Sequence, residues 1–166
     1  MIRDELAEDR MAVRHLNEAA FGSPAEADLV DLLREQASPL ISLVAAEDGE
    51  VVGHIVFSPV TLPGNPELRL MGLAPMSVTP ARQRSGIGSA LVRQGLSRCE
   101  ELGSDAVFVL GHPEYYPRFG FQPASTFGIS CEYDVPDEAF MAIELRPGCL
   151  QSVRGAAKYH SAFGAQ

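Results

Sequence analysis

The segment of residues 70–110 constrains the fold most, because its apolar pattern changes twice along its length. Leu70–Val78 has the composition of a strand, whereas residues 86–102 carry apolar side chains at helical spacing, and Gly103 ends that pattern. Ala106–Leu110 is a short continuous apolar run, as expected of a strand covered on both faces. The order strand, helix, strand predicts a crossover unit, in which two strands run parallel and the helix packs on the sheet. The helical apolar positions are Ile87, Leu91, Val92, Gly95, Cys99 and Leu102.

Two helices are predicted before this unit. The first follows Asp9, and its apolar face is formed by Val13, Leu16 and Ala20. The second begins at Ser23-Pro24-Ala25-Glu26, which has the form of a capping box with proline at the first helical position. The apolar residues of this second helix are Leu29, Val30, Leu32 and Leu33.

Four further segments have the pattern of strands. Residues 41–46 and 51–60 flank the turn Glu47-Asp48-Gly49-Glu50, which predicts an antiparallel hairpin. Residues 139–145 and 153–160 are joined through Pro147-Gly148 and predict a second antiparallel pair that closes the sheet. The predicted fold class is therefore α/β or α+β, with a mixed sheet that has helices on both faces.

The length of 166 residues and the hydrophobic content of 46% suit one domain with its own core. The chain has no apolar stretch of about 18 residues, and it begins with Arg3, Asp4 and Glu5 instead of a signal segment. We therefore expect a single domain over residues 1–166, located in the cytoplasm and not bound to a membrane. The cysteines are odd in number and widely spaced and the histidines are scattered, which favours free thiols and argues against a metal site.

The distribution of charge points to an anionic ligand. The formal net charge is −9, which argues against nucleic acid as a ligand because binding to phosphates requires a basic surface. Residues 51–100 nevertheless carry a net charge of +3, between −8 for residues 1–50 and −6 for residues 101–150. The arginines of this basic segment are either solvated surface charges or part of an anion site, and the acidic segments favour a cationic partner. They include Arg82, Arg84, Arg93 and Arg98.

A candidate anion site follows the strand Leu70–Val78. The loop Gln83-Arg84-Ser85-Gly86-Ile87-Gly88 leads into a helix that continues with Ser89. Amides in the first turn of a helix lack internal partners and lie at the positive end of its dipole, so they bind anions. Gly86 and Gly88 lack side chains that would keep a phosphate from the backbone. Glycines at a helix start also occur for packing alone, but here this loop coincides with the basic segment.

Two other phosphate-binding motifs are excluded. The dinucleotide fingerprint G-x-G-x-x-G requires a third glycine at a position where this chain has Leu91. No G-K-[ST] sequence follows the glycines, which excludes a P-loop. Hydride transfer and nucleoside triphosphate chemistry therefore lose support.

The residues Gln83-x-x-Gly86-x-Gly88 match the fingerprint [QR]-x-x-G-x-[GA] of the GNAT superfamily of N-acetyltransferases, which this chain resembles. Met76-Ser77-Val78 with Pro80 precedes the fingerprint, and Tyr116-Pro117-Arg118-Phe119-Gly120-Phe121 is similar to the family's Y-x-x-x-G-F. The likeness covers nearly the whole chain and is strongest to small stand-alone bacterial members. It implies a mixed, mostly antiparallel central sheet of about six to seven strands flanked by helices on both faces.

The resemblance also implies roles for individual residues. Backbone amides from Arg84 to Ser89 would bind the pyrophosphate of acetyl-CoA, the acyl donor, and Tyr116 would protonate the departing thiolate. The acceptor, a small-molecule or peptidic amine of positive charge, would attack directly, without a covalent enzyme intermediate. Tyr115 is expected to be structural. The backbone of Met76 to Val78 would pair with the pantetheine arm, so the implied cofactor-binding residues are Met76, Ser77, Val78, Gln83, Arg84, Ser85, Gly86, Ile87, Gly88 and Ser89.

The general base, the oligomeric state and the acceptor are left open by the sequence. His54, His112, Glu114 and Glu67 are candidate bases, although such residues are more often structural or solvated. Both a monomer and a homodimer fit the sequence, and variable loops build the acceptor site. Two alternative functions are a non-catalytic acyl-CoA sensor, which would not need Tyr116, and a helix terminus that binds phosphate or sulfate without CoA.

Overall fold

A computed structural model describes residues 1–165. Within them, the chain forms nine strands and three α-helices, connected by turns and short 3-10 segments. The strands are β1 Ile2–Asp4, β2 Ile41–Glu47, β3 Glu50–Val60, β4 Leu70–Val78, β5 Ala106–Leu110, β6 Gln122–Pro123, β7 Ile129–Cys131, β8 Phe140–Glu144 and β9 Gly155–Ala157. The helices are α1 Arg10–Phe21, α2 Ala25–Gln36 and α3 Ile87–Leu102. Among residues 1–165, no helix is both long and apolar enough to cross a membrane.

Seven strands form the central sheet in the order β1-β2-β3-β4-β5-β8-β6. Neighbouring strands in this sheet are antiparallel except β4 and β5, which run parallel because α3 connects them. The hairpin between β2 and β3 is also confirmed: Asp48 and Gly49 have φ angles of +50° and +80°, as a type I′ turn requires. The predicted mixed, mostly antiparallel sheet is therefore confirmed.

Helices cover both faces of this sheet. On one face, Leu91 and Val92 of α3 are fully buried in the core that contains Phe57 of β3. A Cβ atom at Gly95 would lie 2.1 Å from Phe57 Cε1, so the glycine allows α3 to approach the sheet closely. On the opposite face, Leu33 of α2 is buried in a second cluster with Val56. Leu102, predicted on the buried face of α3, is instead exposed at its last turn.

The end of the chain departs from the predicted antiparallel pair. The segment 139–145 does form β8, but β8 pairs with β5 and β6, whereas β9 pairs in parallel with β7 in a separate two-stranded sheet. The connection is not a tight hairpin: the amide of Leu150 donates to Glu144 Oε2 at 2.9 Å, and the Leu150 side chain is fully buried. This anchored turn leads the chain away from β8.

Two local features near the N-terminus also differ from expectation. β1 was not predicted, because Ile2–Asp4 is short and largely polar; it is defined by pairing with β2.

The predicted capping box does not form at the start of α2: Pro24 occupies the N-cap position with helical φ and ψ angles of −80° and −5°. The Ser23 hydroxyl accepts a 3.2 Å hydrogen bond from the amide of Ala25 and not from that of Glu26. The serine therefore closes a local turn one residue earlier than a capping box would.

Candidate active site

The strands β4 and β5 separate along the sheet. They pair only from Leu70 to Leu73 of β4, opposite Ala106–Val109, whereas Met76, Ser77 and Val78 pair with β3 alone. The β3–β4 register shifts by one residue between these two parts, so the end of β4 is displaced within the ladder. A space opens between residues 76–78 of β4 and residues 111–116 after β5. We call this space the slot.

The backbone of β4 presents unpaired groups to the slot. The amide of Thr79 donates to the carbonyl of Val52 in β3 at 2.8 Å. Because backbone groups alternate in direction along a strand, those of Ser77 also point towards β3, and those of Met76 and Val78 point away from it. The carbonyl of Val78 accepts a 3.0 Å hydrogen bond from Gln83 Nε2, so an extended ligand in the slot can pair with the backbone groups of Met76 and with the amide of Val78, as an added strand would.

The slot opens into a cavity of about 680 Å³. Residues from three elements meet there: the end of α1, the end of β4 with its following loop, and the segment after β5. The sequence-predicted residues Met76, Ser77, Val78, Gln83, Arg84 and Tyr116 all line it. The other lining residues are Ala20, Phe21, His112, Glu114, Tyr115 and Arg118.

The loop before α3 has the geometry of an anion site. Arg84 and Gly86 have φ angles of +65° and +89°, which turn the chain sharply into the helix. The first helical bond runs from the amide of Ala90 to the carbonyl of Gly86 at 3.0 Å. In the part of the chain that the structure describes, the amides of Ile87, Gly88 and Ser89 have no hydrogen-bond partner. These amides can donate to an anion at the positive end of the helix dipole.

The remaining side chains of the loop fix its shape. Gln83, the first residue of the fingerprint, donates from Nε2 to the carbonyl of Val78 at 3.0 Å. The hydroxyl of Ser85 donates to the carbonyl of Arg82, whose guanidinium forms a 2.8 Å ion pair with Glu47. Gln83 and Ser85 therefore hold the loop through their side chains, and the backbone amides and Arg84 stay available to a ligand.

Two adjacent tyrosines lie on the other side of the slot. Tyr116 is 8% exposed, and its ring packs so closely on Gly111 that a Cβ atom there would lie 2.4 Å from Tyr116 Cε2. Burial, with a smaller contribution from Tyr115, raises the pKa of Tyr116 to about 12, so its phenol is protonated at neutral pH. The hydroxyl of Tyr115 lies 2.9 Å from Ser89 Oγ, which joins this segment to the first turn of α3.

The candidate bases occupy different places. His112 and Glu114 line the cavity. Glu67 is exposed in the loop before Leu70, so it lies at the opposite end of β4 from the slot. His54 is fully buried, and burial lowers its pKa to about 4, which keeps the imidazole neutral at physiological pH. The structure therefore brings only His112 and Glu114 of these four to the cavity.

His54 belongs to a chain of buried hydrogen bonds that sequence reasoning missed. Its Nδ1 lies 3.4 Å from Asn17 Nδ2, which can only donate, and its Nε2 lies 2.8 Å from Ser42 Oγ. Ser42 in turn donates to Glu5, and Asn17 Oδ1 accepts from Ser77 Oγ. Asn17 was the available signal, because it is a polar residue on the buried stripe of α1, four residues after Val13.

The surroundings of Cys99 do not suit a nucleophile. Cys99 is fully buried on the packed side of α3, and burial raises its pKa to about 12, so its thiol is neither accessible nor ionised. Residues 1–165 contain no group of three or more histidine, cysteine, aspartate or glutamate side chains placed to hold a metal ion.

Comparison with known proteins agrees with this geometry. The family model described as "Acetyltransferase (GNAT) domain" matches residues 2–124. The uncharacterized N-acetyltransferase YhbS from Escherichia coli (strain K12) is 37% identical over 164 residues, which cover 98% of each protein. A second curated relative from the same strain, the uncharacterized N-acetyltransferase YjhQ, is 42% identical over 134 residues, covering 78% of this chain and 74% of that protein.

Two solved structures share the fold at useful sequence identity. The crystal structure of Escherichia coli YhbS in complex with CoA has a TM-score of 0.92 and 36% identity, covering 99% of this chain and 91% of that one. A GNAT family acetyltransferase from Brucella melitensis in complex with acetyl-CoA has a TM-score of 0.81 and 37% identity, covering 98% and 97%. From its family match, its relatives and its fold, the chain belongs to the GNAT acetyltransferase family.

Proposed function

We propose that this protein is an acetyl-CoA-dependent N-acetyltransferase that transfers an acetyl group to a primary amine by direct attack in a ternary complex. One observation carries the proposal: Tyr116 lines the slot, and the unpaired amides at the start of α3 lie at the cavity directly beside it. A phosphate-bearing thioester would need both. Two relatives support the choice of cosubstrate, since one was crystallised with CoA and the other with acetyl-CoA.

The cosubstrate would lie along the slot in a defined direction. Its diphosphate would accept hydrogen bonds from the amides between Arg84 and Ser89, and Gly88 would let it approach because that position carries no side chain. The pantetheine arm would pair with the backbone groups of Met76 and with the amide of Val78, which face away from β3. This arrangement directs the thioester towards Tyr116.

The chemistry would then proceed in one addition and one elimination. The cationic acceptor first loses one proton to water or to His112 or Glu114 at the cavity, because a protonated amine has no lone pair for attack. The neutral amine nitrogen then attacks the thioester carbon, and an amide from the end of β4 stabilises the negative charge on oxygen. When the carbon–sulfur bond breaks, Tyr116 donates its proton to the thiolate. The nitrogen releases its second proton to the solvent, from which the Tyr116 phenolate regains a proton. Burial keeps the phenol protonated but makes it a weaker acid, so its hydrogen bond to the sulfur is part of its contribution.

The acceptor would be a cationic amine, either a small molecule or a peptide. The protein carries a net charge of −9, and Glu114 adds a carboxylate to the lining of the cavity. An acidic protein attracts and orients a cationic substrate before it binds. A single domain, a monomeric or homodimeric state and a location in the cytoplasm stay predictions from the sequence.

The proposal is tested by calorimetric titration with acetyl-CoA, followed by a thiol-release assay over a panel of primary amines. We expect binding, release of CoA with at least one amine, and a large loss of release in the Tyr116→Phe variant, which keeps the ring against Gly111. Absence of binding to the wild-type protein would refute the proposal. Binding with no turnover on any amine would favour the acyl-CoA sensor instead, and equal turnover in Tyr116→Phe would remove this residue from the acid role.

A further inference from the structure

Arg118 is oriented beside the slot by two contacts with Tyr115. Its Nε donates to the carbonyl of Tyr115 at 2.9 Å, and its guanidinium carbon lies 4.5 Å from the centre of the Tyr115 ring. The backbone bond and the stacking fix the plane of the guanidinium, while its two terminal nitrogens remain available as donors. A pre-organised guanidinium loses little further freedom when it binds an anion.

Among residues 1–165, Arg118 forms no ion pair, whereas several other arginines of this acidic protein do. Arg82 pairs with Glu47 at 2.8 Å and Arg98 pairs with Asp4 at 2.6 Å. For Arg84 and Arg118, by contrast, residues 1–165 offer no carboxylate oxygen within 4.0 Å. Neither guanidinium is therefore neutralised by a direct ion pair.

Arg84 and Arg118 border the same space. A cavity of about 440 Å³ lies next to the slot, and Gly86, Gly88 and Ser89 of the anion loop line it together with Arg84 and Arg118. Arg84 belongs to the loop before α3, whereas Arg118 comes from the segment after β5. An anion in this cavity would thus contact the backbone amides and Arg84 of the loop on one side. On the other side it would contact the guanidinium of Arg118, which comes from a different element.

We propose that Arg118 binds the diphosphate of CoA from the side opposite the anion loop, so that the diphosphate is held between α3 and the segment that carries Tyr116. This inference rests on the proposed function, since it concerns the same cosubstrate. A guanidinium can donate two parallel hydrogen bonds to phosphate oxygens. The amides of the anion loop donate only from the α3 side, so Arg118 would add donors from the segment after β5.

The contact would also couple cosubstrate binding to the catalytic segment. Arg118 bonds to the backbone of Tyr115, whose hydroxyl lies 2.9 Å from Ser89 Oγ and whose ring packs edge-on against Tyr116 at 5.0 Å. A diphosphate bound by both Arg118 and the first turn of α3 would hold these elements together. Tyr116 would then be fixed relative to the thioester only when the cosubstrate carries its diphosphate.

Arg93 provides a matched control. Its guanidinium also stacks on an aromatic ring of the same segment, 5.1 Å from the centre of Phe119. It carries the same charge but does not line either cavity. Arg93→Ala therefore changes the net charge as Arg118→Ala does, without removing a group from the proposed site.

The test is calorimetric titration of the wild-type protein and of Arg118→Ala, Arg118→Lys and Arg93→Ala with CoA and with dephospho-CoA, which lacks only the 3′-phosphate. We expect Arg118→Ala to bind both ligands about tenfold to a hundredfold more weakly, the range for a lost charged hydrogen bond, and Arg93→Ala to bind as the wild type does. Arg118→Lys should lie between them, because it keeps the charge but loses the planar donor pair.

Two results would overturn the inference. Equal affinities of Arg118→Ala and the wild type for CoA would show that the guanidinium makes no contact with the ligand. A loss confined to CoA, with dephospho-CoA unaffected, would place Arg118 at the 3′-phosphate and not at the diphosphate. A wild-type protein that binds neither ligand would instead refute the proposed function. Because Arg118 is exposed, its substitution leaves the core intact, and thermal unfolding of each variant checks this.

Discussion

The hydroxyl of Ser77 donates a hydrogen bond of 2.9 Å to Oδ1 of Asn17, and this bond joins the slot end of β4 to helix α1. Both side chains are buried. The side-chain nitrogen of Asn17, Nδ2, lies 3.1 Å from the carbonyl oxygen of Val13 and 3.4 Å from His54 Nδ1. At this level β5 no longer pairs with β4, and the bond to Asn17 ties the end of β4 to α1.

Substitution of Asn17 by alanine is expected to lower the free energy of unfolding by about 2–4 kcal/mol, because Ser77 and His54 lose buried hydrogen-bond partners. Urea denaturation measures this loss. Ser77→Ala alone should cost less, since it removes a single hydroxyl. The double variant Asn17→Ala/Ser77→Ala should be more stable than the sum of the two losses predicts, because the bond between them can be lost only once. Strictly additive losses would contradict a direct coupling of these two residues.

Gly88 is expected to control access of the cosubstrate to the slot. A Cβ atom at this position would lie 3.5 Å from Tyr115 Oη and 3.7 Å from Met76 Cε, which are ordinary contact distances. Gly88→Ala should therefore fold normally, whereas Gly88→Leu should fill the space between these residues. We expect Gly88→Leu to bind acetyl-CoA at least about tenfold more weakly in calorimetry, since a displaced phosphate loses several amide contacts.

The comparison with Gly86 distinguishes a blocked slot from a distorted loop. Gly86 has a φ angle of +89°, and a Cβ atom at this position would meet no other atom within 4 Å, so a side chain there is strained by the backbone and not by crowding. Gly86→Ala should lower both the melting temperature and the affinity for acetyl-CoA, whereas Gly88→Leu should lower the affinity alone. If Gly88→Leu bound acetyl-CoA like the wild type, the diphosphate would not lie over this helix turn.

The parts of the fold that the sequence predicted are those whose signals are local. The bounds of β4 and β5 were predicted without error, because the apolar run of each strand ends at a marked change of composition. The loop from Gln83 to Gly88 was recognised because its glycines, its arginines and the helix that follows are adjacent in the chain. Local pattern and neighbouring charge were enough for these elements.

The parts that were missed depend on contacts between distant segments. The parallel pairing of β9 with β7 joins residues such as Ala157 and Cys131, and no periodicity within either segment specifies its partner. The polar chain through His54 likewise joins residues from α1, β2, β3 and β4 and from the segment before α1. Arg118 was part of a recognised motif, but its place beside the anion loop follows only from the folded chain.

His54 is expected to make the stability of the protein depend on pH between pH 5 and pH 7, where most carboxylates are already ionised. Burial lowers its pKa from 6.5 to about 4 in the folded protein, with Glu5 opposing and Arg34 reinforcing the shift. Between these two values the unfolded chain binds a proton that the folded protein does not, so stability rises with pH and is lost on acidification. From pH 7 to pH 5 this single residue should account for a loss of about 2 kcal/mol.

Urea denaturation at pH 7, 6 and 5 tests this expectation. The informative quantity is the change in the free energy of unfolding with pH, and not its absolute value. His54→Gln removes the titrating group while keeping a side chain that can both donate and accept a hydrogen bond. The variant should be less stable than the wild type at pH 7, because the contacts to Asn17 and Ser42 are imperfectly replaced, yet its stability should fall less between pH 7 and pH 5. Equal pH dependence in both proteins would mean that His54 does not stay neutral in the fold, and the buried chain would then have to carry a charge at its centre.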